Sequence, residues 1–176
     1  MSSVFSERLQ EGKIGESRIA KWFIERGFTV LPVYEIEIGR GKGPQLFMPN
    51  KELIAPDMFI FRRNDGRQLN CYWIEAKHKS AFSWHRKTNR WVTGIDLKHY
   101  EHYCEVDAQT PWPVFLMFLH KGEQAKDSPP NSPKGLFGNS LQYLKKHENH
   151  RSPNWGKTGM VYWAIEHLNK VEDYVV

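Results

Sequence analysis

A Pro-Asp pair, Pro56-Asp57, lies eighteen positions ahead of Glu75-Ala76-Lys77, and an apolar run accompanies each acid. Two carboxylates and an ammonium brought together suit metal-assisted cleavage of a phosphodiester. The acids can share a divalent cation, and the lysine can favour the negative charge that develops during in-line displacement. An unpaired buried carboxylate is costly, and two carboxylates side by side repel unless something positive sits between them. The alternative is a salt bridge at a strand end facing solvent. Similar triplets occur at Glu11-Gly12-Lys13 and Asp96-Leu97-Lys98, neither within an apolar strand. The surroundings of Glu75, not the triplet alone, therefore carry the reading.

Those surroundings predict the elements that position the acids. Met58-Phe59-Ile60-Phe61 follows Asp57, Cys71-Tyr72-Trp73-Ile74 precedes Glu75, and Asn64-Asp65-Gly66 between the runs is a strong hairpin signal. Two adjacent antiparallel strands are expected. Side chains alternate along a strand, so Glu75 and Lys77 share a face with Leu69, Cys71 and Trp73, while Tyr72, Ile74 and Ala76 point the other way. Both faces are largely apolar, as in a central strand covered on both sides. Upstream, Ile19, Ala20, Phe23 and Ile24 recur at helical spacing over residues 13–26, and Gly27 supplies a stop. Glu16 lies three and four residues before Ile19 and Ala20 and so points at the sheet with them. It is either a third carboxylate of the site or a first-turn acid favoured by the helix dipole.

Taken together these residues resemble the PD-(D/E)xK nuclease superfamily, whose restriction-endonuclease-like fold also serves Holliday-junction resolvases and phage recombination nucleases. The resemblance covers residues 13–120: the helix with Glu16, a strand from Phe28, strands carrying Asp57 and Glu75, a helix from Asp96, and the apolar strand Val114-Phe115-Leu116-Met117-Phe118-Leu119. It implies an α/β fold with a central mixed sheet flanked by helices. It also implies a deoxyribonuclease in which Asp57 and Glu75 ligate Mg²⁺, or Mn²⁺ in its place, with the Ala76 carbonyl as a further ligand. Lys77 would act on the attacking water and Glu16 would assist the metal. Mg²⁺ takes oxygen ligands and keeps several waters, so two or three carboxylates suffice. Whether Lys77 acts as a fixed charge or accepts a proton stays open. Family members often carry Gln on the helix after the second acid, where this chain offers Lys98 or His102. The long loop from Glu37 to Leu53 is a second departure.

Composition is consistent with a DNA partner: the formal net charge is +5, and residues 77–98 hold six lysines and arginines against one aspartate. Here Phe82-Ser83-Trp84-His85-Arg86 and Arg90-Trp91-Val92-Thr93 read as a second hairpin about Lys87-Thr88-Asn89. Lys79, Trp84, Arg86, Lys87, Arg90 and Lys98 are the candidate DNA-binding residues, combining phosphate neutralisation with base stacking. The alternative makes Trp84 and Trp91 cross-strand packing partners and the cations a solvated face. A second basic stretch, running from Gly39-Arg40-Gly41-Lys42-Gly43-Pro44 to Lys51, reads as a mobile connector, and Pro129, Pro130 and Pro133 mark an exposed loop.

The 176 residues suit one domain, a nuclease-like core over about 13–120 with a helix capped by Ser140 and a strand near 159–165 added within 136–176. No stretch approaches the ~18 apolar residues of a membrane span and no signal segment opens the chain, so a cytoplasmic protein is expected. Cys71 and Cys104 are expected as reduced thiols. His99, His102 and Cys104, or His147 and His150, lack the matched array of a structural zinc site. Tyr100 and Tyr103 are expected to pack their helix on the sheet. The rival function is a catalytically inactive nucleic-acid-binding module of the same fold. A homodimer would allow two strands to be cut.

Overall fold

The computed structural model describes residues 3–33, 44–64, 68–156 and 158–173. Helix α1 (Ser3–Glu25) leads into β1 (Thr29–Pro32), and a hairpin of β2 (Gln45–Met48) and β3 (Lys51–Ile54) precedes β4 (Met58–Asn64) and β5 (Gln68–Lys79). Next come β6 (Ser83–His85), β7 (Arg90–Asp96), α2 (Leu97–Gln109) and β8 (Val114–His120). The chain continues through β9 (Gly135–Ser140), α3 (Leu141–Lys145), β10 (Glu148–Ser152), β11 (Met160–Ala164), a 3₁₀ turn at Ile165–His167 and β12 (Asn169–Glu172).

Six strands form the central sheet in the order β1-β4-β5-β8-β9-β12, and four more form a second sheet, β10-β11-β7-β6. The β4–β5 pair is antiparallel in a register that sets Met58 against Ile74. The β5–β8 pair is parallel, which requires a long crossover, and β6, β7 and α2 supply it. This is the mixed α/β architecture, a central mixed sheet flanked by helices, that the resemblance implies. Residues 65–67, which connect β4 to β5 and include Asp65-Gly66 of the turn signal, lie outside the described residues, as do residues 34–43, which include 39–43 of the basic stretch.

Alternation along β5 divides the core as expected. Ile74 and Ala76 meet Ile19 and Phe23 of α1, together with Met58, Ile60 and Met117. Trp73 meets the opposite layer, where Leu116 and Phe118 pack against Tyr103 and Val106 of α2 and Ile95, Val161 and Trp163 of the second sheet. Gly15 brings α1 against β5, since a Cβ there would collide with the His78 side chain. Gly27 ends the helix at φ 78°, a left-handed conformation that glycine adopts without steric cost. Asp96 and Ser140 cap the helices they precede, accepting from the backbone N–H groups of Lys98 at 3.0 Å and Tyr143 at 3.3 Å.

Three boundaries differ from the sequence expectation. Helix α1 begins at Ser3, ten residues before position 13; Gly12 is tolerated inside it. The β2–β3 hairpin occupies a segment expected to be loop, with Leu46 paired to Leu53 across the Pro49-Asn50 turn. The C-terminal segment is woven into both sheets: β9 and β12 extend the central one, and β11 pairs directly with β7. Among the described residues no helix is long and apolar enough to cross a membrane.

Candidate active site

Asp57 sits immediately before β4, behind buried Ala55 and Pro56. Its backbone carbonyl accepts from Val33 N–H at 3.0 Å, and its Oδ2 accepts from Ala76 N–H at 2.8 Å. One position beyond the Met58–Ile74 pair, the register sets Asp57 against Glu75. The hairpin thus converts eighteen residues of separation into adjacency of two carboxylates.

Glu75 is 0 % exposed. The Lys77 ammonium, from the same face of β5, forms an ion pair with its Oε1, and the Tyr103 hydroxyl of α2 approaches as a hydrogen-bond donor. Neither carboxylate oxygen, however, has a partner in full hydrogen-bond geometry. Burial first and the Asp57 charge second push the Glu75 pKa up to about 8, against the opposing pull of Lys77 and Tyr103. Burial alone would lower the Lys77 pKa, but the attraction of Glu75 and Asp57 outweighs it and keeps the ammonium protonated well into the alkaline range. Of the two roles left open for Lys77, this environment favours the fixed charge.

Glu16 is half-buried, and burial followed by repulsion from Asp57 raises its pKa, while Lys77 and Lys13 lower it. It is thereby in electrostatic contact with the site from α1. Lys79, two positions beyond Lys77 on the same face, falls to about 8 through burial and then the Lys77 charge. On α2, His102 does not face the acids: its Nδ1 accepts from Ile54 N–H at 2.9 Å and ties the helix to β3. Lys98 is exposed in the first helical turn. The α2 groups that do reach the site are Tyr103 and His99, the latter with its pKa lowered by burial and then by Lys77. Sequence reasoning assigned Tyr103 to packing. It is buried as expected, but it also points its hydroxyl at Glu75. The usable signal was its place on the helix that completes the β5–β8 crossover.

The remaining DNA-binding candidates lie on the β6–β7 hairpin, as expected. Trp84 and Trp91 pair across the strands, edge to face at 5.3 Å. Arg86 pairs with Asp127 at 3.4 Å and Arg90 with Glu166 at 2.8 Å, whereas Lys87 is exposed at the turn.

As a metal site, the donor set consists of oxygens: the Asp57 and Glu75 carboxylates, with the Ala76 carbonyl between Glu75 and Lys77 in the chain. Among the described residues no group of three or more His, Cys, Asp or Glu is gathered closely enough to hold an ion. A fully buried Glu75 carboxylate, ion-paired with Lys77 and facing a second carboxylate, fits a hard cation that keeps water in its shell.

No family model matches the chain, and no curated protein matches it. Among solved structures it is similar to Hjc, a Holliday junction resolvase from the archaeal hyperthermophile Archaeoglobus fulgidus. The two are 12 % identical with a TM-score of 0.49, covering 89 % of this chain and 90 % of that one. It is also similar to a nuclease from a fusselovirus, at 13 % identity and a TM-score of 0.44, covering 97 % and 88 %.

Proposed function

We propose that this protein is a divalent-metal-dependent nuclease that hydrolyses DNA phosphodiester bonds at Asp57, Glu75 and Lys77. One observation carries the reading: a fully buried carboxylate is set beside a second one, with a single lysine ammonium on the same strand face to meet them both. A structural salt bridge would need only one acid for Lys77. Two acids against one ammonium leave a place for further positive charge.

In this proposal Asp57, Glu75 and the Ala76 carbonyl hold Mg²⁺, which Mn²⁺ can replace, and Glu16 assists from α1. The bound ion supplies an activated water and withdraws charge from the scissile phosphate. The protein's own groups do the rest. Ala76 N–H fixes the Asp57 carboxylate at 2.8 Å, and the Tyr103 hydroxyl orients Glu75. Lys77, held protonated, sets a positive charge where negative charge accumulates during in-line displacement. Lys79, Lys87 and the other cations of residues 77–98 receive the DNA backbone. Recognition of DNA shape or ends, as in recombination or repair, belongs to this reading, and a homodimer would cut two strands.

The second reading, a DNA-binding module without catalysis, draws on the existing Lys77–Glu75 ion pair. Incubation with supercoiled, linear, single-stranded and branched DNA in Mg²⁺, Mn²⁺ or EDTA separates the two. The nuclease reading expects EDTA-sensitive cleavage that disappears in Glu75→Ala and Lys77→Ala proteins with unchanged circular dichroism. Binding without cleavage selects the module, and undiminished cleavage by Glu75→Ala removes this site from consideration.

A further inference from the structure

Three rings from three strands lie one upon another on the side of the second sheet turned away from the central sheet. Val161 and Trp163 belong to the core, so alternation along β11 turns Tyr162 outward. His150, its register partner on β10, stacks on it with centroids 4.6 Å apart and planes 7° from parallel. His85 of β6 stacks in turn on His150, at 3.9 Å and 11°. Gly94 lies opposite Tyr162 across the β7–β11 pair. A Cβ there would meet the tyrosine ring at 2.7 Å, so glycine is what lets Tyr162 sit this close to the strand.

The stack is held in place by its neighbours. His85 Nδ1 lies 2.8 Å from Thr88 Oγ1, and His150 Nδ1 lies 2.8 Å from Asn149 Oδ1. The Asn149 amide donates to the Thr88 hydroxyl at 3.5 Å, joining the two supports. Burial, followed by the His85 and Lys87 charges, lowers the His150 pKa and favours a neutral central ring. All three rings are half-buried, and among the described residues no further ring stacks on His85. The nearby Trp84–Trp91 pair differs in geometry: its planes meet at 72°, so the edge of one ring closes the face of the other. Lys87 is exposed two residues beyond His85 and has no ion pair among the described residues, while Arg86 and Arg90 are both engaged by acids.

We propose that the His85–His150–Tyr162 stack is a seat for an unpaired base of a DNA strand, which extends the column on His85 while Lys87 meets the adjoining phosphate. The near-parallel planes match the way bases stack on aromatic side chains. The rings are already ordered, so little rotamer freedom is lost on binding. Bases within a blunt duplex are covered on both faces by their neighbours, so the seat discriminates for single-stranded segments. This inference rests on the nuclease reading for the class of partner, not for its chemistry.

The test is fluorescence anisotropy with a labelled single-stranded oligonucleotide and a blunt duplex, in EDTA so that nothing is cleaved. His85→Ala is expected to weaken single-strand binding by roughly tenfold, in line with the range for one stacked base, while duplex affinity stays within about twofold and His85→Phe restores the loss. Unchanged single-strand binding in His85→Ala, equal losses on both DNAs, or no rescue by His85→Phe would overturn the proposal. As a measurement on the unsubstituted protein, photocrosslinking of a single strand carrying 5-iodouracil is expected to map to His85, and crosslinks confined to other surfaces would overturn it. Because binding is read without metal, a protein that fails to cleave DNA would sink the nuclease reading and leave this result standing. Loss of the stacking effect would leave metal-dependent cleavage untouched.

Discussion

In the proposed nuclease, Glu75 would make metal binding a proton-coupled event whose pH dependence can be stated in advance. With the carboxyl pushed up to about 8, roughly 1 % of Glu75 is ionised at pH 6, a tenth at pH 7 and half at pH 8 in the metal-free protein. A divalent cation requires the carboxylate, so its apparent affinity rises about tenfold from pH 6 to 7 and about fiftyfold from pH 6 to 8, then levels off. Isothermal titration calorimetry with Mg²⁺, repeated in two buffers of unlike ionisation enthalpy, reads both the affinity and the released proton. Just under one proton per ion is expected at pH 7. The same shift sets the metal-free stability. The folded state withholds ionisation of an acid that the unfolded chain ionises from about 4.5, so this contribution is present at low pH and is lost as pH climbs toward about 8. The loss amounts to roughly 3–5 kcal/mol. Saturating Mg²⁺ would remove this dependence between about pH 4.5 and 8, because the folded carboxylate is then ionised as it is in the unfolded chain. Glu75→Gln should abolish both dependences. Equal Mg²⁺ affinity at pH 6 and pH 8, or no proton release at pH 7, would refute the placement of the ion against Glu75.

Tyr103→Phe keeps the ring in the core but deletes the donor to Glu75. The expected outcome is a five- to tenfold loss of Mg²⁺ affinity, about 1–1.5 kcal/mol, with little change in melting temperature; an unchanged affinity would reduce Tyr103 to packing. Gly15→Ala drives a methyl group into His78 and should destabilise the fold by about 1–3 kcal/mol, a drop of several degrees in thermal melting. An unaltered melt would mean that α1 does not bear on β5 there. Neutralising Arg86, Lys87 and Arg90 together should flatten the salt dependence of DNA binding by roughly 2–3 in logarithmic slope. A slope equal to that of the unsubstituted protein would move the DNA path off this hairpin.

The β4–β5 hairpin was legible because its signals are local. Continuous apolar runs flank Asp57 and Glu75, and strict alternation in β5 assigns Trp73 and Ile74 to opposite layers, as observed. The caps Asp96 and Ser140 were equally local, since each bonds a backbone amide within three residues. What escaped is set by contacts distant in the chain. Strands β9 and β12 are short and carry Gly135, Gly138, Lys170 and Glu172; β9 becomes a strand on the open edge of β8, and β12 on the edge that β9 then offers. Tyr103 looks like a packing residue until the crossover lays α2 over Glu75. The His85–His150–Tyr162 column joins strands whose positions span more than seventy residues, and no periodicity within any one of them marks it.

The outer margins of the two larger sheets bear on how the chain behaves in concentrated solution. Strand β1 has four residues and ends at Pro32, which has no N–H to donate, and β6 has only three. Strands β10 and β12 are each interrupted by a shift of register. Among the described residues none offers the long, flat ribbon of unpaired amides on which another molecule could polymerise. The aromatic and cationic surface is therefore carried on a scaffold protected against growth into fibres by edge-to-edge pairing.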